Sequence, residues 1–359
     1  MTVPLFETSV VGSMPRPQFV RDLLDPESGG KLPARDFETR MDAAVSYIVA
    51  LQENAGLDVV TDGEWRRRSY IGVVAELLDG FELTRRDGLW WHTVVRPIGP
   101  RRPGTVADEV RFVRARTKRR VKATLPSPYL LGERMWDPEA SRGAYRTRRA
   151  FTDALVPHLR EEFQRVVEAG ADVVQFDDPH ICLFVDERVR RSVPDPDEEL
   201  DYAVALLNAI VEGIEAPRTA IHLCRRNKGR RGWVGEGGYG PIIPFLRKLR
   251  VDEYLLEFTI PVAGDMAILA ELPETARIGL GCVDCRGETV DTAEVIVERV
   301  EKALRHVRPE RLSLNPDCGF APGSAAEIPI DEAYQKLRNE VAAAEILRRR
   351  HGGGAAGAV

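Results

Sequence analysis

Eight short apolar runs, spread along the whole chain, constrain this fold more than any other feature of the sequence. They are ETSVVGS, LDVVTDG, VKATLP, DVVQFDDP, RTAIHLC, EYLLEF, RIGLGCVD and LSLNPDC. Each is bounded by turn-forming residues and rich in β-branched ones. Most are continuous in apolar residues, as strands covered on both faces of a parallel sheet must be. Between them, helical periodicity runs over about 36–56, 140–170, 196–215, 239–250, 289–307 and 330–350. In the fifth of these, DTAEVIVERVEKALRHV, Asp291 is expected to cap the helix. Ala293, Val295, Ile296, Val300 and Leu304 are expected to form its apolar face.

Eight strands alternating with helices in 359 residues predict an α/β fold, a (β/α)8 TIM barrel, with a doubly wound open sheet as the alternative. A hairpin-like insertion follows the second strand: GFELTRRDGLWWHTVVRPIGPRRPG begins it, within about 80–120. The expected organisation is one catalytic barrel domain over 1–350 and a disordered tail, HGGGAAGAV, over 351–359.

A net charge of -5 argues against a broad basic surface, so nucleic acid is not an expected partner. No apolar run reaches the roughly 20 residues that cross a bilayer. The beginning, MTVPLFETSVVGSMPRP, lacks the pattern of a signal peptide. A cytoplasmic protein without membrane contact is expected, its oligomeric state unreadable. Five cysteines, an odd number in a long chain, suggest metal ligands or reactive thiols instead of a disulfide framework.

A barrel of this kind builds its active site at the carboxyl ends of its strands. Those ends carry Ser13, Glu64, Asp177, His222 with Cys224, Glu257, Asp284 and Cys318. Residues i and i+2 of a strand share a face, so His222 and Cys224 can both point inward. With Glu257 and Cys318 they make a set suited to tetrahedral zinc. Two thiolates and a carboxylate around Zn2+ leave a formal charge of -1, which would keep a bound substrate thiolate nucleophilic. Taken alone, HxC fits equally a core histidine near buried free cysteines. Arg225 and Arg226 open a basic stretch that either grips an anion or is a solvated loop face. GEGGYGP, 235–241, lacks the spacing of a dinucleotide fingerprint and reads as a turn leading into a helix. His180 is a candidate for catalysis or packing. Trp90, Trp91, Trp136 and Trp233 read as core or rim residues, and Cys182, Cys282 and Cys285 as spare thiols, the last near the mouth.

VVGSMPRP, GLDVVTDGEWRR, VVQFDDP, IHLC, LLEFT and RPERLSLNPDCGF, in that order, resemble the catalytic barrel of cobalamin-independent methionine synthase. The resemblance spans nearly the whole chain and implies zinc ligands at His222, Cys224, Glu257 and Cys318. It implies that Gly12, Ser13, Glu64 and Asp177 hold an amino-acid substrate. The full-length folate-using enzyme has a further N-terminal half that is missing here. The family's DIHS, whose histidine is thought to assist proton delivery to folate, reads DCRG: Asp284 is kept and Arg286 replaces the histidine. A guanidinium does not give up its proton at ordinary pH. The implied activity is a zinc-dependent methyltransferase acting on a homocysteine-like thiol, with Asp177, Asp284 and Arg286 as catalytic candidates. S-adenosylmethionine or a methylcobamide is expected as donor before methyltetrahydrofolate. One alternative is S-adenosylmethionine-dependent C-methylation of a zinc-chelated 2-oxo acid whose carboxylate Arg225, Arg226 and Arg286 would hold; another is a non-catalytic barrel with structural zinc.

Overall fold

The computed structural model describes residues 3–86, 89–321 and 328–352. Its strands are β1 (Glu7–Thr8), β2 (Val59–Val60), β3 (Phe81–Arg86), β4 (Leu89–Val94), β5 (Arg120–Pro126), β6 (Val173–Asp177), β7 (Thr219–Leu223), β8 (Glu253–Glu257), β9 (Arg277–Val283) and β10 (Leu312–Pro316). Eight of them form one sheet in the order β1, β10, β9, β8, β7, β6, β5, β2, and every ladder within it is parallel. A parallel bridge between Ser9 and Val59 joins the two ends, so the sheet closes into a (β/α)8 barrel. The eight apolar runs supply its eight strands.

Alternation along each strand sorts side chains into lumen and outer face. Val11, Val173, Ala220 and Leu255 form a small apolar cluster of their own, while Val174, Ile221, Tyr254 and Leu256 belong to the large cluster under the helices. The first four therefore line the lumen. Stepping two residues from this layer toward the strands' carboxyl ends gives Ser13, Gln175, His222 and Glu257. At the opposite end lies an ionic layer in which Glu7 pairs with Arg120 and Arg218, and Arg218 reaches Glu253 at 3.3 Å. One end of the lumen is thus plugged by mutually neutralising charges.

The hairpin pairs Phe81 with Val94 through Arg86 with Leu89. Residues 105–114 form a helix whose first amides, those of Gly104, Val106 and Ala107, are accepted by the buried Glu162 carboxylate at 2.6, 2.8 and 3.2 Å. That helix and Gln18–Leu24, Pro128–Met135, Pro179–Leu183 and Glu187–Ser192 lack a long apolar period that would announce them in the sequence. Pro128–Met135 does carry a start signal: the Ser127 hydroxyl accepts from Leu130 N at 3.0 Å, with proline in the first turn. The expected helix at 239–250 is a 3-10 turn, Gly240–Ile242, and one α-turn, Ile243–Leu246. Thr292, not Asp291, precedes helix Ala293–Ala303, and Asp291 pairs with Arg299 at 2.5 Å. Val295 is 37% exposed and Val297 takes its place in the core. His351 lies inside the last helix and stacks edge-on with Phe6. The rest of the expected disordered tail, 353–359, lies outside the described residues.

The seam between β1 and β2 is narrow, and Asp58 holds it. Its Oδ2 accepts from Thr8 N at 2.8 Å, Thr8 Oγ1 at 3.0 Å and Arg348 Nη2 at 2.5 Å. Hydrogen bonds to a charged group contribute about 1.5–3 kcal/mol each. Asp58→Ala should therefore lower stability by about 2–4 kcal/mol, seen as a lower Tm and as faster amide exchange at Thr8. Equal exchange at Thr8 in variant and wild type would contradict this account of the seam.

Candidate metal centre and substrate cavity

His222 and Cys224 emerge on the lumen side of β7, and Cys318 follows β10. The ligating atoms of the three lie within 4.8 Å of one another, at 3%, 6% and 4% exposure. Neither ring nitrogen of His222 has a hydrogen-bond partner among the described residues. An imidazole buried without a partner costs free energy that a bound cation would recover. The Cys318 thiol, His222 and the Arg226 backbone N–H all favour the Cys224 thiolate, holding it well below the usual thiol range. Cys318, beside that thiolate, is pushed up and keeps its hydrogen.

Glu257 is not part of this group. Its Oε1 pairs with Arg286, and its Oε2 accepts from Arg225 N at 2.7 Å. Burial pushes its carboxyl up to about 7 against the pull of Arg286, and the neighbouring Cys224 adds to the rise. Arg286 also meets Asp317 at 3.1 Å, so the guanidinium is a strut between two carboxylates. Asp317 in turn accepts from Phe258 N at 2.9 Å, Thr259 N at 3.1 Å and the Thr259 hydroxyl. It ties β8, β9 and β10 together where the β10–β9 register slips at Asn315 and Pro316, and the chain then turns Cys318 toward His222. Asp284 closes a turn, accepting from Arg286 N at 2.8 Å and Gly287 N at 3.1 Å. Arg225 is fully buried and donates to Gly237 O at 3.0 and 2.7 Å and to Tyr239 OH at 3.1 Å. Expected to meet a substrate carboxylate, it faces away from the cavity instead.

The metal-capable trio opens on a cavity of about 190 Å3 whose walls include Gly12, Ser13, Glu64, Asp177 and Arg226. Glu64 sits at φ 57°, held there by its amide on Asp62 Oδ1 at 2.9 Å, while its Oε1 accepts from Thr124 Oγ1 at 2.8 Å. Gly12 is needed for this approach, since a Cβ would stand 2.8 Å from Glu64 Oε1 and 2.9 Å from Thr124 Cγ2. The Ser13 hydroxyl accepts from Ala321 N at 3.2 Å. Burial raises the Asp177 carboxyl to about 7; His222 opposes the shift and Glu64 adds to it.

Tyr70, Arg134 and Asn227 also line the cavity, and sequence reasoning missed them. Tyr70 and Asn227 lie on loops without periodicity; the Ser127-Pro128 start of the helix carrying Arg134 was the one readable signal. His180 stands behind the wall, 4.0 Å from Glu133, and burial with Arg226 and Arg134 nearby lowers its imidazole to about 3. Cys285 is buried, 3.6 Å from Asn227 Nδ2, and burial pushes its thiol up to about 12. Trp91 lies under the Arg134 guanidinium. Trp136 donates to Tyr145 O, and Trp233 to Glu236.

A family model described as the catalytic domain of cobalamin-independent synthase matches residues 6–346. A methionine synthase of Saccharolobus islandicus (strain L.S.2.15 / Lassen #1) is 28% identical over 357 residues, covering 96% of each chain. A B12-independent methionine synthase from Shewanella sp. W3-18-1, solved in complex with selenomethionine, superposes with a TM-score of 0.79 at 26% identity, over 96% of this chain and 98% of that one. A putative vitamin-B12 independent methionine synthase from Listeria monocytogenes has the same fold, with a TM-score of 0.73 at 24% identity over 97% and 99% of the two chains. The chain belongs to the cobalamin-independent, methionine synthase-like methyltransferase family.

Proposed function

We propose that this protein methylates the sulfur of a homocysteine-like amino acid beside a zinc ion, using a methyl donor other than methyltetrahydrofolate. The observation that carries this reading is the buried, unpartnered imidazole of His222 next to two cysteine sulfurs at the edge of an amino-acid-sized cavity. One nitrogen and two sulfurs suit zinc, which when bound would lower the pKa of a thiol in its open position so that the sulfur is anionic at neutral pH. His222, Cys224 and Cys318 would hold the ion. Glu257, near enough to Cys224 for each charge to act on the other, would supply an exchangeable fourth donor by letting go of Arg286.

Glu64 and Asp177, two buried carboxylates on one cavity wall, would hold the acceptor's ammonium, which offsets their mutual repulsion. The Ser13 turn would take its carboxylate. The acceptor's thiol first loses its proton to solvent; a sulfur lone pair then forms the S–CH3 bond as the donor's bond to that methyl breaks, its electron pair leaving with the donor. Selenomethionine in the Shewanella relative supports an amino-acid ligand here. Arg286 supports a non-folate donor: it stands where the family resemblance sets a histidine, and both carboxylates it touches keep it charged. Of the three arginines expected to hold a 2-oxo acid, Arg225 and Arg286 spend their donors inside the protein and Arg226 lines the cavity.

The test is to incubate the zinc-loaded protein with homocysteine and, separately, with methylcobalamin, S-adenosylmethionine or methyltetrahydrofolate, and to weigh the products. Methionine from methyltetrahydrofolate would overturn the donor assignment; no methylated thiol from any donor would overturn the activity. Cys318→Ser should weaken zinc binding by more than the about 10- to 100-fold that follows loss of an outer partner of a ligand, while Glu257→Gln keeps most of the metal, as elemental analysis after dialysis would report. Gly12→Ala should displace the Glu64 carboxylate and raise the KM for homocysteine about 10- to 100-fold, as expected for losing a charge-assisted hydrogen bond of about 1.5–3 kcal/mol, leaving zinc content unchanged.

A further inference from the structure

Among the described residues the four buried arginines are each matched to a carboxylate: Arg67 to Glu109, Arg218 to Glu7, Arg225 to Glu257, Arg286 to Glu257 and Asp317. Two arginines in the cavity wall are not. Among the described residues neither Arg134 nor Arg226 makes an ion pair, and neither guanidinium donates a hydrogen bond. Both line the same cavity as the metal-capable trio. Arg134 Nε is buried and bare, and its guanidinium is laid over the Trp91 ring at 4.5 Å, which fixes its plane. Arg226 is held at φ 59°, a left-handed conformation unusual for a long side chain and common where local strain serves a site. The two lie near enough for Arg226 to disfavour the charge on Arg134, and both act on the shielded His180 behind them. The carboxylates of the same cavity are engaged elsewhere, Glu64 with Thr124 and Asp177 with Gln175.

Two like charges kept together without a counterion are a cost to the empty protein, and forked guanidinium donors match the oxygens of a carboxylate or phosphate. We propose that Arg134 and Arg226 form an anion subsite at the cavity wall that receives a carboxylate or phosphate carried by one of the two substrates. This rests on reading the cavity as the place where acceptor and donor meet. The subsite would orient whichever substrate brings the anion, with Trp91 as the rigid backing for Arg134.

The test compares wild type with Arg134→Gln, Arg226→Gln and the double variant, each first checked for unchanged Tm and zinc content. Calorimetry would follow three probes: L-methionine, its decarboxylated analogue 3-(methylthio)propylamine, and inorganic phosphate. Phosphate binding needs neither zinc nor turnover, so it reads the subsite even if the methyl-transfer reading fails. If the anion is the acceptor's carboxylate, L-methionine binding falls at least about tenfold in the variants while the amine is unaffected. If the anion belongs to the donor, L-methionine binding is unchanged and phosphate binding to wild type falls at least about tenfold in the variants. Should all three probes bind the double variant as they bind wild type, or should phosphate fail to bind wild type while L-methionine binding stays constant, the subsite does not exist. Arg226→Lys should recover part of the loss, since it restores charge without the fork.

Discussion

The carboxylate of Asp317 organises the candidate site. Fully buried, it takes two amides and a hydroxyl from Phe258 and Thr259 and a guanidinium from Arg286. Burial still raises its carboxyl above the ordinary range, with Arg286 pulling the other way. Gly281 makes room, because a Cβ there would fall 2.5 Å from Asp317 Oδ1. The ends of β8, β9 and β10 are thereby fixed to one another, and with them Glu257, Arg286 and Cys318. Two guanidiniums, Arg225 and Arg286, balance two carboxylates, Glu257 and Asp317. Removing one member would leave an uncompensated buried charge, which costs about 3–5 kcal/mol. The site's positions are therefore set by a charge balance as much as by packing.

That balance also explains which parts of the site were legible beforehand. Strand parity was enough for His222 and Cys224, because a face in a barrel strand is set by counting in twos from Ala220. The same count separates Arg226, on the side of Cys224, from Arg225, whose side chain goes to Gly237 and Tyr239. Of the two, Arg226 lines the cavity and Arg225 does not. Glu257 is a different case. Its inward direction is readable, but a carboxylate there has competing partners, a metal ion and the Arg286 guanidinium, and only three dimensions reveal that Arg286 reaches it. Arg134 and Tyr70 were hidden for a third reason: they approach from a helix and a loop, where no period announces which side chain turns inward.

The fold was legible because its strands are buried on both faces and so lose the alternation that would make them ambiguous with exposed sheet. The helices were less so. Those read correctly, such as Ala34–Ala55 and Ile330–His351, are long enough to repeat their apolar face several times. Pro128–Met135 and Pro179–Leu183 begin at the strand ends and serve to place side chains at the mouth. Their starting points are set by Ser127 and Asp178, which cap them, more than by apolar periodicity.

A closed structural zinc site and a working one differ in what surrounds the ligands. A structural ion is enclosed by four committed side chains and needs no neighbouring space. Here three metal-capable side chains converge, the nearby Glu257 carboxylate is claimed by two arginines, and the trio shares a cavity with Glu64, Asp177, Arg134 and Arg226. Glu64 reaches Arg67 at 3.9 Å, whereas Arg134 and Arg226 make no ion pair among the described residues, so the guanidiniums of this small cavity are poorly arranged for stability alone. On the proposed function the cavity would suit a zwitterion, whose ammonium and anionic groups would meet opposite charges lining it. On that reading the cost borne by the empty protein would become selectivity for a ligand carrying both signs beside a soft nucleophile.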